Sequence, residues 1–468
     1  MRRPPHTLRS SSFQFSTAGL AVILGFLFAS VVTRTLGSTV VGITPNGQWT
    51  LNGNVTYPGT PAEGLLMNIR MVNATFEDAR PVSAWPQQLP ASFDPDENTA
   101  AFIARIPEYK AHGVRAFTLS LQGGSPKYEG AHNSAFNADG TLRADYMKRV
   151  QRVIEACDAH GMAVILGCLY QRQHGAEPTR LPRALQDRAA IRAAVRHTAE
   201  WIRERDYRHV VLEVANEYAH SGYARWADGA WLRTAEAQVE LIGVAREAHP
   251  RLLVATSGMG HGRMPAAIGE ASDFVLIHFN NTPLDAIAAR IADARTAHPN
   301  KPIIVNEDDK TGADGAEAAR LSVAHGASWG YMGAAVNQSA PFQFRGAADD
   351  PPVYAMLARL TGNTSARTAS GTPHLGTQGQ SLITEPGDGG TFRPGADIRV
   401  KFVARPADGA TLRSLRLFAN GKVIGEPAAT QTEYVWGAVP AGVYNLQLRV
   451  TDSNGRETDS RLVDIYVQ

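Results

Sequence analysis

Cysteine is nearly missing from this sequence: the 468-residue chain holds two, Cys157 and Cys168. Thiols this scarce exclude a disulfide-stapled scaffold and a cysteine-ligated metal centre, which need several at set spacings. Cys157 falls in an amphipathic helical pattern and Cys168 in the strand pattern after it, so two buried thiols are expected rather than a bridge. Net charge is missing too. Lys and Arg total 46 against 44 Asp and Glu, a formal charge of +2, too little to argue for a nucleic-acid or anionic-membrane partner. Long apolar runs are confined to residues 18–32, which follow Met1-Arg2-Arg3 and Arg9 and end at Thr33-Arg34. That run is shorter than the ~20 residues of a full membrane span and fits a secretory signal or a short signal anchor. Ala29-Ser30 and Gly37-Ser38 supply small residues near a cleavage point, and export is the expectation, with either cleavage or anchoring. No phosphate-cradling glycine loop follows an early strand pattern. Gly258-Met-Gly-His-Gly262 comes after a middle one and lacks a nucleotide fingerprint, so it reads as a flexible loop. No spacing matches a metal site: Asp94-x-Asp96-x-Asn98 lacks the glycine and terminal glutamate of a calcium loop and reads as a helix cap. No cofactor is called for.

What the chain does have is an ordinary globular composition, 44% hydrophobic and 19% charged, and a steady alternation of two periodicities. Strand-like runs occur at 65–72, 114–121, 163–169, 210–215, 252–256, 274–279, 303–306 and 328–336. Helical patterns separate most of them, at 99–112, 142–160, 187–205, 231–249, 284–298 and 313–325, with a short one near 264–271 and a last one at 352–360. Strand–helix alternation specifies a parallel sheet, and eight such units in roughly 300 residues fit a closed (β/α)8 TIM barrel better than an open doubly wound sheet. Residues 363–380 are rich in Thr, Ser, Gly and Gln without periodicity, a linker. Beyond it short alternating runs at 397–404, 414–419, 443–451 and 462–467, punctuated by Asn420-Gly421 and Asn454-Gly455, specify a small all-β sandwich. The expected layout is an export segment or anchor at 1–37, a linker or cap at 38–60, the barrel at 61–362, the linker, and the sandwich at 381–468. The phrasing Glu385-Pro-Gly-Asp-Gly-Gly390, Leu417-Phe-Ala-Asn-Gly421 and Thr451-Asp-Ser-Asn-Gly455 resembles bacterial immunoglobulin-like modules of secreted polysaccharide-active enzymes. Tyr434 and Trp436 there suit sugar stacking, although core or interface packing is the preferred reading.

Two glutamates carry the chemistry. Glu217 closes the apolar run His209-Val-Val-Leu-Glu-Val-Ala-Asn216, and Glu307 closes Pro302-Ile-Ile-Val-Asn306. A carboxylate just past a buried strand is costly unless a polar cleft receives it. Cleavage of a sugar acetal needs one carboxyl to protonate the leaving oxygen and one carboxylate facing the anomeric carbon. Close together, the two push each other's pKa values apart, which suits that division of labour. Glu213, inside the same strand as Glu217, is expected to pair with an inner arginine such as Arg70 or Arg115.

Glutamates ending strands four and seven, the first preceded by Asn216, resemble the clan A glycoside hydrolases, barrel enzymes that include cellulases, mannanases and xylanases. The resemblance covers about 65–360. It implies Glu217 as acid/base, Glu307 as nucleophile and Asn216 as a contact to the sugar hydroxyl beside the anomeric carbon. Other strand ends supply candidate substrate-binding groups: Arg70 and Asn73, Gln122, Tyr170 and Gln171, His278 and Asn280, Asn337, and Trp329 as a sugar platform or packing residue. Amides and planar cations suit neutral hydroxylated ligands. His278 stands near the place where the clan often has a tyrosine, and reads equally as a buried structural histidine; Asp308 and Asp309 beside Glu307 could compete for its role or instead bind Lys310 or a cation. The expectation is thus an exported glycoside hydrolase acting on a poly- or oligosaccharide, with retention. Two other readings use the same residues: a non-catalytic carbohydrate-binding or envelope protein on a barrel scaffold, and a transglycosylase.

Overall fold

The computed structural model describes residues 38–77, 93–123, 133–171, 185, 187–333, 336, 338, 342–363, 380–387, 389–406, 409–460 and 463–468. The export segment, most of the linker and Asn337 therefore lie outside the described residues. Among those described, no helix is long and apolar enough to cross a membrane.

Three short antiparallel strands come first: β1 (Val41–Ile43), β2 (Trp49–Leu51) and β3 (Asn54–Val55). The stretch expected as linker or cap is thus a small sheet. Its Val41 and Trp49 join one apolar cluster with Leu66, Ala116, Ala163, Val211 and Phe274, which stand at or near the starts of barrel strands. The sheet plugs the end of the barrel where the strands begin.

The eight parallel strands are β4 (Asn68–Arg70), β5 (Ala116–Ser120), β6 (Ala163–Leu169), β7 (Val210–Ala215), β8 (Val254–Ala255), β9 (Val275–His278), β10 (Ile303–Glu307) and β11 (Gly330–Tyr331). They run in the order β11-β4-β5-β6-β7-β8, with β9 paired to β10. Single bridges Ser257–Leu276 and Ile304–Ser328 join the remaining neighbours and close the ring. Period-two patterning divides each strand between two surroundings. In β6, Ala163 and Ile165 share the inner cluster with Trp49, whereas Val164, Leu166 and Cys168 belong to the large core under the helices.

The crossovers are α1 (Pro95–Ile103), α2 (Ile106–Ala111), α3 (Ala144–Ala159), α4 (Arg188–Glu204), α5 (Gly229–Leu232), α6 (Ala235–Ala248), α7 (Ala266–Ala271), α8 (Leu284–Ala297), α9 (Gly312–Ala324) and α10 (Pro351–Leu360). The pattern at 99–112 is two helices, because Pro107 has no N–H to give and suits only the first turn of a new helix. The pattern at 231–249 also splits, where the Thr234 side chain accepts from Ala237 N and starts α6 afresh. Asp94 caps α1 through the amides of Asp96 and Glu97, as its place in the sequence implies. Cys157 and Cys168 are free and buried, and burial pushes the Cys168 thiol up to about 12.

The C-terminal region is a sandwich. One sheet holds β12 (Gln380–Glu385), β14 (Ile398–Arg405) and β17 (Glu433–Trp436); the other holds β13 (Gly390–Phe392), β20 (Val463–Val467), β18 (Gly442–Asp452), β15 (Leu412–Ala419) and β16 (Lys422–Gly425), with β19 (Glu457–Asp459) on β18. All pairings are antiparallel except β13 with β20. The hairpin β15–β16 turns at Asn420 and Gly421, both at positive φ (50° and 75°), as a two-residue primed turn requires. Ile383, Val400, Leu417, Leu448 and Ile465 are among the residues of a core separate from that of the barrel.

Candidate active site

The fourth barrel strand, β7, delivers Glu217 through an unusual backbone. Glu217 has φ of +46°, a left-handed conformation costing a non-glycine residue on the order of 1–2 kcal/mol. Its neighbours hold it there: Glu217 N donates to Ser257 Oγ (2.8 Å) and His220 N donates to Glu217 O (2.8 Å). Before it, Asn216 N is tied to Leu169 O (2.9 Å), and the Tyr223 hydroxyl lies 3.0 Å from Asn216 O. The bend stops the strand and aims the carboxyl across the barrel mouth. Glu217 is 3% exposed.

Glu307 ends β10 on the opposite side and is gripped by two groups. Arg70 Nη1, from the end of β4, sits 2.9 Å from Glu307 Oε2, and Asn280 Nδ2 donates to Glu307 Oε1. Arg70 also donates to Asn216 Oδ1 (3.2 Å), and Asn216 Nδ2 donates to Gln171 Oε1 (3.2 Å). One guanidinium thus links both halves of the site. His278, at the end of β9, stands between the glutamates: its Nδ1 is 3.2 Å from Glu217 Oε1 and 3.6 Å from Glu307 Oε2.

Charge follows from this packing. Burial works against the His278 imidazolium, but Glu307, Glu217 and Glu213 outweigh it and hold its pKa above the ordinary histidine value. Arg70 shows the same balance, burial opposed mainly by Glu307, and its pKa is also raised. Glu213 lies inside the barrel. Burial raises its pKa, against the pull of His278 and Arg70. Its Oε2 accepts from Asn306 Nδ2 (3.4 Å). The expected ion pair to Arg70 or Arg115 does not form: Arg70 is committed to Glu307, and Arg115 is directed to the carbonyls of Lys110 and Val114 and the Tyr57 ring.

One ligand atom each from Glu217, His278 and Glu307 lies within 4.8 Å of the others. A divalent cation could use such a trio, yet Arg70 already brings a fixed positive charge against Glu307, which disfavours one there. The arrangement is suited instead to two facing carboxyls with their charges managed by protein cations.

The other candidate residues divide into two groups. Asn216, Gln171, Arg70, His278 and Asn280 form one connected network with the glutamates. Gln122 is buried and tethers strands, accepting from Tyr170 N (3.2 Å) and donating to Ser134 Oγ (3.3 Å). Tyr170 lays its ring so close to Gly123 that any side chain there would collide with it. Asn73 is buried in a 3-10 turn, its carbonyl accepting from Asn98 Nδ2 (2.8 Å). Trp329 is fully buried, and its indole N–H donates to Asp308 Oδ2 (2.8 Å), so it packs the barrel instead of offering an open platform. Asp308 also pairs with Lys310 (2.9 Å). Ser257, at the end of β8, was not evident as a site residue, yet it fixes the backbone of Glu217. Gln338 closes the ring by donating to Arg70 O (2.9 Å).

A family model described as cellulase, glycosyl hydrolase family 5, matches residues 78–320. Among solved structures, the endo-beta-1,4-mannanase from Thermotoga petrophila aligns over 88% of this chain and 99% of its own at 12% identity, with a TM-score of 0.43. A broad-specificity endoglucanase from an uncultured bovine rumen ciliate covers 63% of this chain and 95% of its own at 12% identity and a TM-score of 0.44. An endo-beta-1,4-mannanase double mutant from Cellulomonas fimi covers 91% and 100% at 13% identity and a TM-score of 0.39. No curated protein matches the chain.

Proposed function

Because the chain belongs to the cellulase family, glycosyl hydrolase family 5, we propose that it hydrolyses O-glycosidic bonds of a poly- or oligosaccharide by double displacement with retention. The carrying observation is the approach of facing Glu217 and Glu307 oxygens to within 4.8 Å. Retaining sites place their carboxyls ~5–5.5 Å apart, whereas inverting sites need ~6.5–9.5 Å to admit a water between. In the first step Glu217 gives its proton to the leaving oxygen while Glu307 attacks the anomeric carbon, forming a glycosyl-enzyme. In the second, Glu217, now ionised, takes a proton from water, whose oxygen displaces Glu307. The sugar leaves with its original anomeric configuration.

The surrounding groups fit those roles. Arg70 and Asn280 each bind one oxygen of Glu307 and point the carboxyl, supporting it as nucleophile. His278, with a proton on Nδ1, can donate to whichever glutamate is ionised: Glu307 before attack, Glu217 after the leaving group is protonated. Asn216 and Gln171 offer amide groups beside Glu217 for a sugar hydroxyl. The basic and apolar segment at 1–37 supports an enzyme delivered outside the cytoplasm, free or anchored.

Purified protein screened against neutral polysaccharides is the test, with product anomers read by NMR. We expect activity with retained configuration, abolished in Glu217→Ala and in Glu307→Gln. Full activity in Glu307→Gln, free of contaminating hydrolase, would overturn the assignment; inverted product would overturn the mechanism.

A further inference from the structure

The described residues from Ser38 to Gln468 form one compact unit, yet the barrel and sandwich cores share no residue. Among the described residues, contacts between them fall on the loops that hold the catalytic pair. We propose that the sandwich is a positioning module, seated on the βα loops after the fourth and sixth barrel strands so as to fix Glu217 and the Asn280 clamp on Glu307. This rests on the catalytic reading above.

Three observations carry it. First, Gly389, anchored in the sandwich by donation to Asp464 O (2.7 Å), meets the barrel at His220. A side chain there would begin 2.4 Å from the His220 ring and 2.7 Å from Ser221 Oγ, and Gly389 also has φ of +79°. Only glycine allows this approach. His220 is fully buried, and its ring Nδ1 accepts from Gly222 N (2.9 Å) while its own N–H donates to Glu217 O (2.8 Å). The sandwich therefore presses on the residue that closes the strained turn of Glu217. Second, Asn281 Nδ2 donates to Ile383 O of β12 (3.2 Å), and Asn281 directly follows Asn280, the donor to Glu307. Third, the sandwich aromatics that could have made a sugar platform are engaged within it. Tyr434 donates its hydroxyl to Ile424 O (2.9 Å), and the Trp436 ring packs edge-on against Tyr444 at 4.9 Å. A further barrel contact, Arg405 to Asp285 at 3.4 Å, is exposed and adds little.

A matched pair of glycines tests this in the full chain. Gly389 and Gly395 have nearly the same positive φ (79° and 77°), but an added side-chain carbon at Gly395 meets nothing within 4 Å. Gly389→Ala and Gly395→Ala thus carry the same backbone strain, and only the first pushes against His220. In Gly389→Ala we expect kcat about 10- to 100-fold lower, as small misplacements of reacting groups cost, with KM nearly unchanged and faster hydrogen exchange across residues 216–223. Asn281→Ala, which adds no strain, should lower kcat to a lesser degree and speed exchange around 279–283. Gly395→Ala should match wild type in both readouts. Wild-type kcat and exchange in Gly389→Ala, or equal losses in the two glycine variants, would overturn the proposal. Exchange needs no substrate, so unchanged exchange counts against the seating itself, whereas altered exchange in an enzyme whose Glu217→Ala variant remained active would count against the catalytic reading.

Discussion

Glu213 shows how much of this site is decided one side chain at a time. It sits almost fully buried, four residues before Glu217 on the same strand, and burial holds its pKa above the ordinary carboxyl range. A proton kept in the folded state at a pH where the unfolded chain releases it makes stability depend on pH. The contribution is complete below the unfolded value of about 4.3 and is lost as pH climbs through the raised folded value. Glu213→Gln keeps the shape and the neutral charge and so escapes that loss. We expect the variant's unfolding free energy, from urea titrations at several pH values, to gain on wild type as pH rises from about 4 to 8. Curves that stay parallel would mean that Glu213 is ionised in the folded protein. The neighbouring Glu217 is legible from the sequence for a related reason: a carboxylate ending a buried strand stands out. Ser257 is not, since a serine at a strand end looks like any other, and Trp329 is ambiguous because a buried tryptophan and a sugar platform are written alike.

Elements were more legible than side chains because period-two and helical patterns repeat over many residues. The strands β6 and β7 coincide with their apolar runs, and β10 extends its run by one residue to take in Glu307. Local punctuation was harder to weigh, so Pro107 and Thr234 broke two helices that periodicity joined. In the sandwich, β13, β16, β17 and β19 have three or four residues each, too short to show a period. The eighth barrel strand, β11, is shorter still, and its closure against β4 and β10 depends on Gly330. A side-chain carbon there would fall 2.2 Å from Asn68 Oδ1, 2.6 Å from Val305 O and 2.8 Å from the Asn306 Cα. Two of those three atoms are backbone, so the strand itself must move. Gly330→Ala should therefore cost about 1–3 kcal/mol or more, seen as a lower urea midpoint, and lower activity because Asn306 and Glu307 share the displaced strand. An unchanged midpoint would show that the seam is looser than it looks.

The barrel is contacted at its two ends by different means. At the mouth, polar contacts from the sandwich meet the catalytic loops; at the base, the β1–β3 sheet inserts apolar side chains. Neither connection is visible in a linear reading, since Gly389 and His220, or Trp49 and Phe274, are far apart in the chain and each looks ordinary alone. Trp49 is the central piece of the base, fully buried and edge-on to Phe274 at 5.4 Å. Its indole N–H meets no acceptor among the described residues, so its contribution is apolar contact and volume. Trp49→Ala should then cost about 3–5 kcal/mol through lost burial and an unfilled cavity, and Trp49→Phe markedly less, since no hydrogen bond is forfeited. The base lies at the opposite strand ends from Glu217 and Glu307, so kcat per folded molecule should stay at the wild-type value in both variants below their unfolding transitions. Denaturation midpoints beside active-site-normalised rates check this. A kcat that fell in step with stability would show that the plug also sets the geometry of the mouth, and that the barrel transmits strain along its strands.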